Sequence, residues 1–358
     1  MLRSNTHHKT LRRAAWLCVA MGAAGCGDVG SKSDVPAIAE AAIVANKASG
    51  PPHWHPLGSI PDSPTTLGAH AMAAQVVPLV LASSVDLSSE LPPVGDQGSE
   101  GSCVGWAVAY SAKTLLDVVQ NNWPPDDETH EFSPSWIYNQ INGGVDKGSN
   151  MSTALTLVVN SGVDTMSSFP YVNGDYLTQP STDSKARAAH FKAASWATVS
   201  VSATNFKNQL AAGKPVIVTL NILPDFDAMN SSNSVYDTDM GTRGGWVQAC
   251  DANCTSICTG PGLCGSCNGT NTCTIPSCSS NCSRGNHAVV IVGYDDTVGA
   301  FKFVNQWTTG WGVAGYGWLA YSFMTNANLS LAGYTLVNAA DVPGVQDSPI
   351  LWQESQVL

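Results

Sequence analysis

The sequence predicts an α+β fold in two lobes, and three observations carry that prediction. From Cys103 to about Asn160 apolar residues recur at helical spacing, whereas after about residue 195 they gather into short strand-like runs. Between two of those runs lies a separate stretch, Cys250 to Cys282, that holds eight cysteines. A helical half followed by a strand-rich half is the layout of segregated helical and sheet layers. With 358 residues, 44% hydrophobic and 12% charged, the chain has the apolar content for one substantial core or two modest ones.

The first 25 residues have the layout of an export signal. Lys9, Arg12 and Arg13 precede the apolar run Ala14–Met21, and the small residues Gly22, Ala23, Ala24 and Gly25 lead to Cys26. That run is too short to span a bilayer. Small residues directly before a cysteine resemble the lipobox of bacterial lipoproteins, with Ala23 where Leu is usual, and the resemblance implies acylation at Cys26. Gly27 follows, and the absence of Asp there implies the outer membrane; plain secretion is the alternative. The chain has 16 basic and 27 acidic residues. Four of the basic ones precede Cys26, so the exported body is more acidic still. Such a body repels phosphate backbones, and nucleic acid is excluded as a partner.

Residues 26–84 are rich in Ala, Pro, Ser and Gly and are expected to form a tether or short pro-segment, with one short helix over Val35–Lys47. His53, His55 and His70 fall within it and are expected to be solvated. The folded domain is placed at 85–340, with a tail over 341–358. Within it, helices are expected from Cys103 to about Gln120 with partial burial, from Ser133 with Pro134 in the first turn, and from Ser152 to Asn160 with Gly162 past the end. A further short helix, Thr204–Ala212, is closed by Gly213. Strands are expected at Val199–Val201, Val216–Ile222, Ala288–Val292, Phe301–Val304, Gly317–Phe323 and Tyr334–Val337.

Eleven cysteines are present: Cys18 in the signal, Cys26 at its end, Cys103 alone, and eight in 250–282. In an exported chain the eight (Cys250, Cys254, Cys258, Cys264, Cys267, Cys273, Cys278, Cys282) are expected to form disulfides, because their spacing fits no regular zinc pattern. The insertion has almost no large apolar residues, so cross-links are expected to supply its order. Neither metal nor cofactor is called for.

Cys103 is the odd thiol. It ends the Gly-rich loop Gln97–Ser102 and opens an apolar helix, where the dipole and free backbone N–H groups favour thiolate and can receive an oxyanion. A thiolate nucleophile needs an oriented base. His130 and His190 lie in polar stretches and are expected at the surface. His287 instead heads the apolar strand Ala288–Val292, and a hairpin through Asp295–Gly299 can bring Asn305 beside it.

These motifs, Gln97 with Gly101-Ser102-Cys103, His287-Ala288-Val289, Asn305-Gln306-Trp307, Gly310-Trp311-Gly312 and Gly315-Tyr316, resemble the papain and cathepsin cysteine peptidases. Leu91-Pro92-Pro93-Val94 and Pro170-Tyr171 fit the same frame, and the resemblance covers 85–340 apart from the insertion. It implies a papain-like fold with a helical left lobe and a β-rich right lobe, and an endopeptidase acting as a monomer on peptide or protein substrates. Cys103 would be the nucleophile, His287 the base, Asn305 the residue orienting it and Gln97 an oxyanion donor. Trp307 would cover the Asn305–His287 bond. Substrate binding would fall to Gly148, Ser149, Asn286 and Trp307, with Asn142-Gly143-Gly144 a rival for the substrate-pairing strand.

The departures are Val104 for the usual Trp, Gln306 for the usual Ser, and no cysteines to make the family's structural disulfides, so packing must hold the lobes. The segment before residue 85 is too short for the long helical inhibitory pro-segment of animal and plant relatives, which puts self-inhibition of that kind in doubt. A catalytically idle binding lipoprotein and an acyltransferase with the same dyad are the alternative functions.

Overall fold

Among the described residues there are thirteen strands, and one long strand in the middle of the main sheet organises the others and the helices around it. The computed structural model describes residues 55–68, 73, 81–222, 226–227, 229–232, 234–236, 285–325 and 331–338, with the backbone alone of 246–249, 266–268 and 272–275. The export signal, Cys26, the rest of the tether as far as residue 54 and the tail 341–358 lie outside the described residues.

The first helix, α1, runs in three parts: Cys103–Gly105, a more loosely wound π stretch Trp106–Lys113, and Thr114–Asn121. Every residue from Cys103 to Val118 is buried, so the expected partial burial is corrected to full burial. Even Lys113 is enclosed: its ammonium pairs with Asp117 and lies 5.0 Å from the centre of the Phe132 ring. Asn338, just past the last strand, donates to the same Asp117 carboxylate at 2.6 Å and ties the chain's far end to α1. Helix α2, Pro134–Ile141, opens as expected, with the Ser133 hydroxyl accepting from Trp136 N at 3.2 Å.

Helix α3, Met151–Ser161, ends at Gly162, whose φ is +81°. A methyl group at that position would stand 1.7 Å from the Ala188 carbonyl oxygen. Gly162→Ala is therefore expected to destabilise the fold by at least about 2–3 kcal/mol, through strained backbone and a direct clash. Denaturant unfolding measures this, and a variant within about 0.5 kcal/mol of the parent would contradict the geometry. Two shorter helices follow, α4 over Thr182–Ala188 and α5 over Ala203–Ala211.

The main sheet has the order β4-β13-β5-β10-β11-β12-β6, with β2 beside β10. Its members are β2 (Ser84–Asp86), β4 (Ser195–Val199), β5 (Val216–Ile222), β6 (Val235–Tyr236), β10 (Gly285–Asp295), β11 (Ala300–Val304), β12 (Tyr316–Ala320) and β13 (Ala332–Val337). Pairing is antiparallel except between β12 and β6. Strand β10 alternates across the sheet as its period of two requires. Ala288, Val290 and Val292 pack with Cys103, Val104 and the helices. Val289 and Ile291 pack on the opposite face with Phe301, Phe303, Trp307 and Trp311. The two cores are the two lobes, and β10 belongs to both.

Two strand expectations are corrected. Strand β4 ends at Val199 because the Ser202 hydroxyl accepts from Asn205 N at 3.1 Å and starts α5. Strand β12 stops at Ala320, where Tyr321–Thr325 turns into a 3₁₀ segment. In the insertion region, β7 (Trp246–Ala249), β8 (Ser266–Asn268) and β9 (Thr272–Ile275) form a small antiparallel sheet in the order β7-β9-β8. Its register sets Cys267 opposite Cys273, so backbone pairing contributes order that had been expected from cross-links alone. The eight cysteines' side chains lie outside the described residues.

The described chain also extends before Val85. Strand β1, Ser59–Ile60, pairs in parallel with β3, Ser149–Asn150, and this segment matters most at the site.

Candidate active site

Cys103 is the first residue of α1, and among the described residues it is a free thiol. The helix start packs close to α2 because Gly105 has no side chain: a methyl there would lie 2.6 Å from the Pro134 carbonyl oxygen. Backbone N–H groups of Ala288, Gly58, Val104 and Cys103 itself face the sulfur. Ala288 adjoins His287 on β10, so the sequence positions 103 and 287, far apart in the chain, meet where the two lobes join.

His287 is held in one tautomer. Its Nε2 lies 2.9 Å from Asn305 Oδ1, and the same Oδ1 accepts from Gln306 N at 3.0 Å, which identifies that atom as the oxygen. An amide oxygen only accepts, so Nε2 carries the proton and Nδ1 holds the basic lone pair of the neutral ring. Trp307 lies over the imidazole with ring centres 4.6 Å apart, and Phe226 meets it edge-on at 5.8 Å. His287, Asn305 and Trp307 are buried.

Gln97 is buried as well, and its amide orientation follows from its partners. Oε1 accepts from Gln306 Nε2 at 3.0 Å and from Trp307 Nε1 at 3.1 Å. Nε2 therefore points the other way, donating to the carbonyls of Glu100 at 2.7 Å and Pro56 at 3.1 Å. Gln306 also donates to Ala288 O at 3.0 Å. It joins Gln97 to the strand that bears His287, a function the shorter Ser expected at this position has no reach to perform.

The bond from Gln97 to Pro56 belongs to a continuous run of contacts along residues 55–62. His55 stacks on Trp307 with ring centres 4.2 Å apart and planes 9° from parallel, and its backbone N donates to Asp227 Oδ1 at 3.1 Å. The expectation of a solvated linker histidine is corrected: the ring is part of the site's covering. Gly58 lies against the nucleophile's loop so closely that a methyl group there would be 1.7 Å from the Gly101 carbonyl oxygen. Gly58 O accepts from Ser149 N at 2.8 Å. Asp62 ends the run, accepting from Ser152 N at 3.0 Å and Tyr334 OH at 3.0 Å. His53 and His70 lie outside the described residues.

This covering changes the chemistry beneath it. The sequence predicts a thiol pulled down by the helix terminus, but in the seated arrangement burial outweighs the four backbone N–H groups and pushes the Cys103 thiol up to about 12. The seated form therefore holds a neutral thiol. Its raised value also sets a sign: the seated arrangement keeps its full stability below the ordinary thiol value of 9.0 and loses it as pH rises from there towards about 12.

The remaining expected positions sort clearly. Gly148 and Ser149 lie beside the seated segment, Gly148 at φ +92° where an added methyl group would stand 2.2 Å from Gly58 O. The rival Asn142-Gly143-Gly144 instead forms the turn after α2, with both glycines at positive φ. Asn286 pairs with Asn221 in the β10–β5 register. His130 stacks on Trp123 at 4.2 Å beside Asp127 and is half-buried, which corrects the expected surface position, whereas His190 is exposed as expected. His55, Phe226, Asp227 and the bridging role of Gln306 were not legible, because no periodic pattern marks residues that act through single contacts.

Comparison with known proteins places this geometry. Residues 262–333 match the family model described as papain family cysteine protease. That match spans His287 and Asn305 and leaves Gln97 and Cys103 outside. None of the curated proteins compared matches the sequence. Among solved structures, xylellain, a cysteine protease from Xylella fastidiosa, is similar with a TM-score of 0.60 at 21% identity, covering 79% of this chain and 96% of that one. The ragweed pollen allergen Amb a 11, a cysteine protease solved in its proform, is similar with a TM-score of 0.52 at 18% identity, covering 74% of this chain and 69% of that one. The chain has the papain-like α+β fold.

Proposed function

We propose that the chain is a cysteine endopeptidase in which Cys103 and His287 act as a dyad oriented by Asn305. The observation that carries this reading is the His287 ring, fixed with its basic Nδ1 lone pair on the strand against which the Cys103 helix packs. The family match at 262–333 and the papain-like fold support a peptidase hydrolase. In the reaction, the Cys103 proton passes to His287 Nδ1 and the sulfur attacks the peptide carbonyl carbon. Gln97 Nε2 and the Cys103 N–H receive the oxyanion. His287 returns the proton to the leaving amine as the C–N bond breaks, and a water molecule, deprotonated by the same ring, hydrolyses the thioester.

Residues 55–62 stand where a substrate backbone would have to pass, so the described form is the latent one. Peptide turnover as a function of pH tests the reading in the full-length chain carrying Gly58→Ala, whose extra methyl group cannot seat. With water admitted and a cationic imidazole beside it, the thiol is expected to ionise well below 9. The kcat/KM profile should then be bell-shaped, with its acid limb from Cys103 and its alkaline limb from His287. A rate that climbs steadily to alkaline pH would mean an ordinary thiol and would remove the ion pair from the account.

A further inference from the structure

The loop that delivers both oxyanion donors, Gln97–Ser102, contains two glycines, one of them at φ +57° (Gly98). A loop of that composition is costly to order, and no disulfide can staple it, since Cys103 is the only cysteine between 27 and 249. Something else must hold it, and the candidate is a buried acid. The Glu100 side chain turns inward and is 1% exposed. One carboxylate oxygen accepts from Gly174 N at 2.5 Å and the other lies 3.1 Å from the Tyr171 hydroxyl. That hydroxyl lies 2.7 Å from the Gln97 carbonyl oxygen and 2.8 Å from the Ser102 hydroxyl. Glu100 is also bonded at its other end, where its own carbonyl accepts from Gln97 Nε2 at 2.7 Å. A second carboxylate, Asp146, accepts from Gly101 N at 2.8 Å and from the Tyr138 hydroxyl.

We infer that Glu100 is a positioning residue for the oxyanion site: with Tyr171 it clamps both ends of the loop so that the Gln97 amide and the Cys103 N–H converge on one reacting carbonyl. The logic is the count of protons. Tyr171 has a single hydrogen, shared between Gln97 O at 2.7 Å and Glu100 Oε2 at 3.1 Å, and Ser102 donates to the Tyr171 oxygen. Glu100 supplies the acceptor that fixes Gly174, and with it the short stretch 171–174 that carries the tyrosine. Removing the carboxylate leaves the Gly174 N–H without its acceptor and lets both Tyr171 and the Gln97 amide drift. Because the oxyanion exists only along the reaction coordinate, the loss falls on kcat and leaves substrate binding nearly intact.

This inference rests on the peptidase reading, and its test separates the two. In the full-length chain carrying Gly58→Ala, adding Glu100→Ala is expected to lower kcat about 10- to 100-fold with KM little changed, the scale of a misplacement near 1 Å. Glu100→Gln is expected to restore kcat to within about threefold, since its amide oxygen still accepts from Gly174 N and its NH₂ can donate to the Tyr171 oxygen. Should Glu100→Ala fail to fold, Tyr171→Phe removes one hydroxyl only and is expected to show the same loss in kcat. Unchanged kcat in Glu100→Ala or Tyr171→Phe would overturn the inference, as would a Glu100→Gln variant as impaired as the alanine. Amide hydrogen exchange read without any substrate completes the test: exchange at Gly98–Cys103 should accelerate in Glu100→Ala and stay constant in β10 and β11. If the parent hydrolysed no peptide, the peptidase reading would fall, and unchanged exchange would overturn the clamp independently.

Discussion

Cys103→Ser and His287→Ala are each expected to abolish peptide hydrolysis while the fold persists, with losses of at least about 10⁴-fold in kcat/KM. The serine hydroxyl keeps the size of the thiol but cannot ionise near neutral pH, and without the imidazole nothing takes the thiol's proton. The double variant should lose no more than either single one, because the two groups act as a unit. Asn305→Ala should cost less, roughly 10- to 100-fold, because it frees the ring to rotate without removing a reacting group. Gln97→Ala should lose about 10²–10³-fold, the scale of one oxyanion donor. Circular dichroism and unfolding midpoints close to the parent's are needed to assign these losses to chemistry. Parent-like turnover in Cys103→Ser would remove the nucleophile from the account.

Releasing residues 55–62 is expected to act in the opposite direction and raise activity about 10- to 100-fold. The segment is seated by charge-assisted hydrogen bonds to Asp62, by the stack of His55 on Trp307 and by the closeness of Gly58 to Gly101. Removing the Asp62 carboxylate should free about 1.5–3 kcal/mol of seating energy, which shifts the closed–open balance roughly 10- to 100-fold towards open. Asp62→Ala in the full-length chain should therefore hydrolyse small peptides faster by about that factor. Gly58→Ala should match or exceed it, because its methyl group meets backbone rather than a flexible side chain. A free peptide spanning His55–Asp62 should inhibit the released form. Equal rates in the parent and both variants would mean that the segment does not obstruct the site in solution.

The meeting of Cys103, His287 and Asn305 was legible because it depends on a few residues whose contexts are unusual in sequence. Cys103 is the one cysteine between residues 27 and 249 and opens a helix, and His287 heads an apolar strand that cannot leave it unbonded. The hairpin turn at Asp295–Gly299 then brings Asn305 into place. Helix α2 and strand β5 fell where caps and β-branched residues put them. The seated segment was not legible for a physical reason: β1 is two residues long and pairs through backbone atoms, and the flanking His55 and Asp62 each act through contacts to residues far along the chain. Glu100 was hidden differently. In a Gly- and Ser-rich loop an acid is expected to face water, and its burial depends on Gly174 and Tyr171, more than 70 residues onward. Lys113 misleads in the same way, since an i,i+4 pair with Asp117 is usually a surface feature and here lies inside the helical lobe.

One measurement reaches the central claim most directly: covalent labelling by an epoxide inhibitor of papain-like peptidases, with the adduct located by peptide mass spectrometry. The account predicts one adduct, on Cys103, forming slowly in the full-length chain and faster by about 10- to 100-fold in Gly58→Ala, because the seated thiol is both covered and neutral. It also predicts that His287→Ala is labelled hardly at all in either background. A released chain whose Cys103 resists the epoxide but reacts with iodoacetamide only at alkaline pH would contradict it, since that is the behaviour of a thiol with no imidazole to activate it.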